Sequence, residues 1–253
     1  MKQFIIPFVF IIGPFLSISC NDKDDAKEKQ WSYEGETSPG HWAEIGNNDC
    51  DGLYQSPVDI LTTTIDNALP PLDIQYGNET LINNVTNNGH TIQFNFAPGD
   101  YMVYNGEEYL LKQIHFHESS EHTIEGVRFP IELHLVHQND QGQYAVISLL
   151  AKESEFNAEP FQFLESYLPL GVNEIKTVGE PFNLNNFLPE NRQYYTYTGS
   201  LTTPPCTEGV QWFIFKTSIA VSLEFINQLH DLMPLNNYRD VQPLNGRVIL
   251  ESQ

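Results

Sequence analysis

Short runs of alternating apolar and polar residues recur through the middle of this chain. In the segments 90–96 (His-Thr-Ile-Gln-Phe-Asn-Phe) and 131–137 (Ile-Glu-Leu-His-Leu-Val-His), large apolar side chains occupy mostly every second position. Such alternation predicts β-strands with one apolar face, because successive side chains in a strand point to opposite sides. The segments 109–117, 144–151 and 210–215 are also predicted as strands, since they are rich in aromatic and β-branched residues and end at Gly, Pro, Asn or Asp.

Helical periodicity is found in few places. Residues 223–233 place leucine, isoleucine and phenylalanine on one side, and Ser222 precedes them as a candidate N-cap. Residues 159–168 show a weaker pattern of the same kind. Many short strands with few helices predict a single, mainly β domain with peripheral helices, built around a large, mostly antiparallel twisted sheet.

The first thirty residues do not follow this pattern. Residues 1–19 have the layout of a secretory signal peptide, and residues 20–30 form a charged stretch that we expect to be a solvated tether. The folded domain is then expected at residues 31–253. Cys20 resembles the cysteine that is acylated in bacterial lipoproteins, although Ser17 stands where leucine is usual. We therefore expect an exported protein, either periplasmic or anchored to a membrane by lipid on Cys20, with plain secretion as the alternative.

Charge and cysteine content narrow the possible partners. The chain has 12 basic and 33 acidic residues, a net charge of −21, which argues against nucleic acid or an anionic membrane surface as a partner. Apart from Cys20, the cysteines of this exported chain are Cys50 and Cys206, and an even pair predicts one disulfide. Two free buried thiols are the alternative. No Cys-x-x-Cys motif is present, which argues against a cysteine metal site.

Histidines supply the strongest chemical signal. Five of the eight lie between positions 115 and 137. His115 and His117 share one face of a predicted strand, and His134 on the next strand can provide a third imidazole. Three neutral imidazoles leave a tetrahedral zinc ion with one position for water, which is the arrangement of catalytic zinc sites.

Two polar residues accompany these histidines. Gln113 and Glu132 each lie two residues from a histidine and on the same face, where they can accept the hydrogen bond of a ligand's second ring nitrogen. Four other histidines are interpreted as structural: His41, His122, His137 and His230.

Several longer motifs surround these residues. They are Gln-Ile-His-Phe-His at 113–117, Ser-Glu-His-Thr at 120–123, Glu-Leu-His-Leu-Val-His at 132–137 and Gly-Ser-Leu-Thr-Thr-Pro-Pro-Cys at 199–206. They resemble the signature segments of alpha-class carbonic anhydrases. Further matches in the same order include Gln-Ser-Pro-Val-Asp-Ile at 55–60, Asn-Asn-Gly-His at 87–90 and Asn-Tyr-Arg at 237–239. The resemblance covers residues 31–247, nearly the whole predicted domain.

This resemblance implies a function and a metal. The expected reaction is the reversible hydration of carbon dioxide to bicarbonate by zinc-activated hydroxide, with Zn²⁺ held by His115, His117 and His134. The resemblance also implies that Gln113, Glu132 and Asn237 support these ligands, and that Cys50 and Cys206 form the bridge of exported members.

Further roles follow from the same resemblance. Thr202 is expected to accept a hydrogen bond from the hydroxide and to donate one to Glu121, which orients the nucleophile. His90 is expected to be the proton shuttle, because an imidazole takes up and releases protons near ambient pH. The expected substrate pocket consists of Val136, Val146, Leu201, Thr203, Val210 and Trp212.

Two other interpretations are weighed against this one. The pattern His115-x-His117-x-x-x-Glu121 also resembles the first metal motif of cupins, in which the glutamate is a ligand; this alternative includes metalloenzymes and sugar-binding barrels. However, no Pro-x-Gly turn precedes His134. The second alternative is a non-catalytic relative used as a binding module, but such relatives have lost metal histidines and none is missing here.

Glu118 and Gln138 depart from the family, since animal members often have tryptophan at these positions.

Overall fold

A computed structural model describes residues 30–46 and 49–253 of the chain. The predicted signal peptide at 1–19, Cys20 and the tether up to residue 29 lie outside the described residues. None of the helices among the described residues qualifies as a transmembrane span.

The described residues form sixteen strands. The first eight are β1 (Asp59–Ile60), β2 (Thr63–Ile65), β3 (Asp73–Gln75), β4 (Thr80–Asn87), β5 (Ile92–Phe96), β6 (Tyr101–Tyr104), β7 (Glu107–His117) and β8 (Thr123–Ile124). The others are β9 (Ile131–Gln138), β10 (Tyr144–Ser154), β11 (Ile175–Thr177), β12 (Pro181–Phe182), β13 (Tyr194–Ser200), β14 (Glu208–Phe215), β15 (Ile219–Ser222) and β16 (Ile249–Glu251). All five predicted strands are present, although β5 begins two residues after the predicted start, which leaves His90 in the preceding turn.

Fourteen of these strands belong to one large twisted sheet, with the main order β11-β4-β5-β7-β9-β10-β14-β13-β16-β2. Most neighbours are antiparallel, as predicted. The exceptions within the sheet are the parallel pairs β10–β14, β10–β15 and β16–β2, while β1 and β8 form a separate parallel pair. The prediction of a mainly β domain around a mostly antiparallel sheet is therefore confirmed.

Helices are short and lie at the periphery. The α-helices among the described residues are α1 (Glu159–Glu165) and α2 (Leu223–Leu232), and 3-10 helices span Gly35–Thr37, Pro39–Glu44 and Leu184–Phe187. The predicted cap of α2 is confirmed, since Ser222 Oγ accepts a hydrogen bond from the Phe225 N–H at 3.1 Å. Helix α2 buries Phe225, Ile226 and Leu229 against the main core.

The central strands β7, β9 and β10 have two chemically different faces. One face contributes Ile114, Leu133 and Leu149 to the large apolar core. The other carries His115 and His134, which are register partners on β7 and β9. A register shift between Leu111 and Gln113 interrupts the alternation of β7. This bulge changes which face the strand residues occupy, so that Leu111 packs in the core while Gln113 joins the histidines.

A disulfide joins Cys50 to Cys206 across 156 positions of the sequence, as predicted. It lies in a small cluster with Tyr33 and Trp42, next to the loop that follows β13. Backbone hydrogen bonds also hold this loop, because the Asp49 N–H donates to the Pro205 carbonyl and the Cys206 N–H donates to the Thr203 carbonyl. The bridge therefore fixes the N-terminal segment beside Thr202 and Thr203.

Candidate active site

Three imidazoles from two neighbouring strands converge at the site. His115 and His117 come from β7, and His134 comes from β9. The Nε2 atom of His115 lies 3.0 Å from Nε2 of His117 and 3.2 Å from Nδ1 of His134. Two imidazole nitrogens bound to one tetrahedral zinc ion are separated by about 3.3 Å. The spacing of the inner nitrogens therefore suits a single ion of this size.

The outer nitrogen of each imidazole faces an acceptor. His115 Nδ1 lies 2.8 Å from Gln113 Oε1, His117 Nδ1 lies 2.6 Å from the Asn237 carbonyl, and His134 Nε2 lies 2.8 Å from Glu132 Oε1. Because these oxygens only accept hydrogen bonds, each outer nitrogen carries the proton. The three inner nitrogens then present lone pairs to one another. These lone pairs repel one another unless a cation lies between the rings, so the three nitrogens fit a divalent metal.

Burial also keeps these rings unprotonated. Desolvation lowers the pKa of His117 to about 4 and lowers the pKa of His134. The pKa of His115 falls well below its usual value because of desolvation first and the neighbouring imidazoles second. All three rings are consequently available as ligands at neutral pH.

Glu121 lies beside the three imidazoles without being equivalent to them. Its Oε2 atom has no hydrogen-bond partner among the described residues and lies 3.4 Å from His117 Nε2 and 3.9 Å from His134 Nδ1. Its Oε1 atom accepts the Arg239 N–H at 2.9 Å, and Thr202 hydrogen-bonds to the carboxylate. Burial raises the pKa of Glu121 to about 7. A positive charge among the imidazoles would compensate this buried carboxylate, which is a second observation in favour of a cation.

A cavity of about 170 Å³ opens beside the imidazoles. Its lining combines His115 and His134 with the predicted pocket residues Val136, Val146, Leu201, Thr203 and Trp212, and with Gln113, Tyr144 and Thr202. Val210 is not among the lining residues but is buried in the apolar cluster with Val136, Val146 and Trp212. The cavity is therefore apolar on one side and polar beside the rings.

His90 lies at a second, adjoining cavity of about 110 Å³ that also contacts His115, His117 and Thr203. Its ring stacks on Trp31, with centroids 3.7 Å apart and an angle of 14° between the planes. The Asn88 side chain accepts hydrogen bonds from the backbone N–H groups of His90 and Thr91. Partial burial lowers the pKa of His90. The structure thus places this imidazole between the three histidines and the surface.

The family model of eukaryotic-type carbonic anhydrases matches residues 37–253 of the chain. The chain belongs to the alpha-class carbonic anhydrase family. The resemblance seen in the sequence is therefore confirmed, and the cupin alternative is wrong.

Individual relatives agree with this assignment. A carbonic anhydrase of Pectobacterium atrosepticum is 35% identical over 244 residues, which cover 95% of this chain and 98% of the relative. The structure is also similar to that of the alpha carbonic anhydrase of Thermovibrio ammonificans in complex with the inhibitor sulfanilamide, with a TM-score of 0.83 and 35% identity over 87% of this chain and 98% of that one. The alpha carbonic anhydrase of Photobacterium profundum gives a TM-score of 0.82 and 37% identity, covering 88% and 100% of the two chains. The prediction of an enzyme is confirmed.

Sequence reasoning did not single out several residues that contact the site. Tyr144 lines the pocket, Trp31 stacks on His90, and the Arg239 backbone N–H donates a hydrogen bond to Glu121 Oε1. Tyr144 begins a predicted strand and Arg239 belongs to a quoted motif, so each had a sequence signal. The contact between Trp31 and His90 had none.

Proposed function

We propose that this chain catalyses the reversible hydration of carbon dioxide to bicarbonate, with Zn²⁺ held by His115, His117 and His134. One observation carries the proposal: three inner imidazole nitrogens lie within 4.8 Å of one another and their site borders an open pocket. No fourth protein ligand joins this group among the described residues. Zinc in such a site supplies a water with a pKa lowered to about 7, a value known for carbonic anhydrases as a class and not obtained from this structure.

Thr202 and Glu121 are proposed to orient the reacting oxygen. An ionised carboxylate only accepts hydrogen bonds, so Thr202 must donate its hydroxyl hydrogen to Glu121. The Thr202 oxygen then accepts a hydrogen bond from a reacting oxygen that still carries its own hydrogen. The backbone N–H of Arg239 holds the Glu121 carboxylate in place. A lone pair of the reacting oxygen is thereby directed toward the substrate.

The apolar part of the pocket is proposed to hold carbon dioxide. Val136 and Val146 are register partners on β9 and β10, and Trp212 is the partner of Val146 on β14. These three side chains line the same pocket as the metal-binding histidines and offer carbon dioxide an apolar surface. Leu201 and Thr203 complete the pocket from the loop that the disulfide fixes.

His90 is proposed to pass the released proton to solvent. It lines the cavity next to His115 and His117 while its side chain is half-buried. Its pKa is lowered by desolvation, which favours release of a proton once taken up.

The location of the enzyme is also a proposal. The Cys50–Cys206 disulfide supports an oxidising compartment outside the cytoplasm. We propose export by the segment 1–19, folding of residues 31–253 as the catalytic domain, and anchoring to a membrane through lipid on Cys20. Mass spectrometry of the mature protein tests the anchor, since an unmodified Cys20 would contradict it.

The proposed reaction is tested by stopped-flow measurement of carbon dioxide hydration. We expect activity that is lost after zinc is removed with a chelator and restored by adding zinc. A sulfonamide of the sulfanilamide type should inhibit, as expected for a ligand of the metal position. Zinc-free protein that retains full activity, or zinc-loaded protein without activity, would contradict the proposal.

A further inference from the structure

Glu132 accepts an unusually complete set of hydrogen bonds. Its Oε1 atom accepts from His134 at 2.8 Å, from His122 at 2.7 Å and from Ser148 at 2.6 Å. Its Oε2 atom accepts from the backbone N–H groups of Glu121 and His122, both at 2.8 Å. All these side chains are buried. A carboxylate with five donors is fixed in position and stays an acceptor toward His134.

His122 is itself held from its other side. Its Nε2 atom lies 2.7 Å from the Tyr197 hydroxyl, which in turn lies 2.8 Å from Ser56 Oγ. Ser56 Oγ accepts the Ser200 N–H at 3.0 Å. These residues form a continuous buried chain, defined here as the His122 chain, that runs from β13 to the Glu132 carboxylate.

The donors and acceptors of the His122 chain fit only one direction. Among the described residues, the Tyr197 oxygen is the acceptor available to the Ser56 hydroxyl hydrogen. Tyr197 must then donate its own hydrogen to His122 Nε2. His122 therefore carries its proton on Nδ1, where it donates to Glu132 Oε1. The direction of the hydrogen bonds in the His122 chain therefore determines which ring nitrogen of His122 is protonated.

We propose that His122 and Tyr197 are positioning residues for the metal ligand His134. This inference rests on the proposed zinc site. With Glu132 fixed as an acceptor, His134 keeps its proton on Nε2 and directs the Nδ1 lone pair toward His115 and His117. Neither His122 nor Tyr197 belongs to the set of inner nitrogens or to the outer partners of His115 and His117. Their hydrogen bonds reach His134 through Glu132, and their rings also pack against Trp212, which contacts the His134 ring.

The local backbone is shaped to allow this chain. A Cβ atom on Gly199 would lie 2.1 Å from Ser56 Oγ and 2.7 Å from the Tyr197 ring. Glycine at this position therefore permits the close approach of Ser56 to β13. The sequence interpretation of His122 as a structural residue is thus extended to a specific task.

The test uses four variants of the full chain. Tyr197→Phe removes one hydroxyl of the His122 chain. Tyr194→Phe is the matched control, because Tyr194 lies on the same strand and donates its hydroxyl to the Pro70 carbonyl, outside the site. His122→Phe removes the donor to Glu132, whereas His122→Asn retains a donor near the position of Nδ1.

The measured quantities are zinc affinity, by competition with a chelator, and the protonated ring nitrogen of His122, by ¹H–¹⁵N NMR of the zinc-free protein. We expect His122→Phe to weaken zinc binding by about tenfold to a hundredfold. Tyr197→Phe should weaken zinc binding by about threefold to tenfold. His122→Asn should weaken zinc binding less than His122→Phe does. Tyr194→Phe should bind zinc like the wild type. In the wild type, NMR should find the His122 proton on Nδ1.

Two results would overturn the inference. One is a wild-type His122 protonated on Nε2 alone, which NMR shows even if a variant does not fold. The other is equal zinc affinity in Tyr197→Phe and Tyr194→Phe. Failure of the proposed function is distinguishable, because the wild type would then not bind zinc at the three histidines at all.

Discussion

The two faces of strands β7, β9 and β10 achieve burial in different ways. On the core face, Ile114, Leu133 and Leu149 are fully buried by packing alone. On the site face, His134 and Glu132 are equally buried, but the outer nitrogen of His134 and both oxygens of Glu132 have hydrogen-bond partners. Packing tolerates small adjustments of shape, whereas a buried polar group without its partner is costly. The comparison shows that the alternation of side chains places the apolar residues that stabilise the sheet on one face and the polar residues of the site on the other.

The largest effect is expected on the core face. Leu149→Ala should lower the free energy of unfolding by about 2–5 kcal/mol, because it removes fully buried apolar groups and leaves a cavity. Denaturant unfolding measures the loss. The zinc affinity of the folded variant should stay at the wild-type value. A large loss of zinc affinity would show that the two faces are not separable.

Thr202→Ala should affect the site face alone. Loss of the hydroxyl that hydrogen-bonds to Glu121 should lower kcat/KM for carbon dioxide hydration by about a hundredfold, comparable to the removal of one preorganised hydrogen bond from other active sites. Thr202→Ser, the matched control, keeps the hydroxyl and should lose much less. Zinc content should be unchanged in both. Equal activity of the two variants would remove Thr202 from the proposed mechanism.

The smallest effect is expected at the edge of the site. His90→Ala should slow turnover by about tenfold in weak buffer, because proton transfer to solvent then lacks its imidazole. Added imidazole should restore the rate. His41→Ala is the control, since His41 is an exposed histidine that pairs with Glu44. Unchanged turnover of His90→Ala in weak buffer would contradict the shuttle.

The features that follow from local alternation could be predicted from the sequence. Residues His115 and His117 were expected on one face of a strand with His134 beside them, and the structure brings the three together. The N-cap at Ser222 and the disulfide were also predicted correctly. Each of these predictions depends on a short-range pattern, on the number of cysteines, or on a motif that is continuous in the sequence.

Features that depend on distant pairing could not be predicted in the same way. Strand β14 pairs in parallel with β10 although more than fifty residues separate them, and no local pattern specifies this neighbour. The hydrogen bond between His122 and Tyr197 joins residues 75 positions apart. The bulge before Gln113 is different, because the change of large apolar residues from odd positions (Tyr109, Leu111) to even positions (Ile114, Phe116) marks it in the sequence.

The most direct test of the zinc site is X-ray absorption spectroscopy at the zinc edge of the loaded protein, with His134→Ala for comparison. The spectrum of the wild type should fit three imidazole nitrogens and one oxygen from water at about 2.0–2.1 Å, with one zinc ion per chain. His134→Ala should lose one nitrogen ligand or the zinc ion itself. A wild-type spectrum that requires a protein carboxylate ligand, or a zinc environment unchanged in His134→Ala, would contradict the assignment of the three histidines.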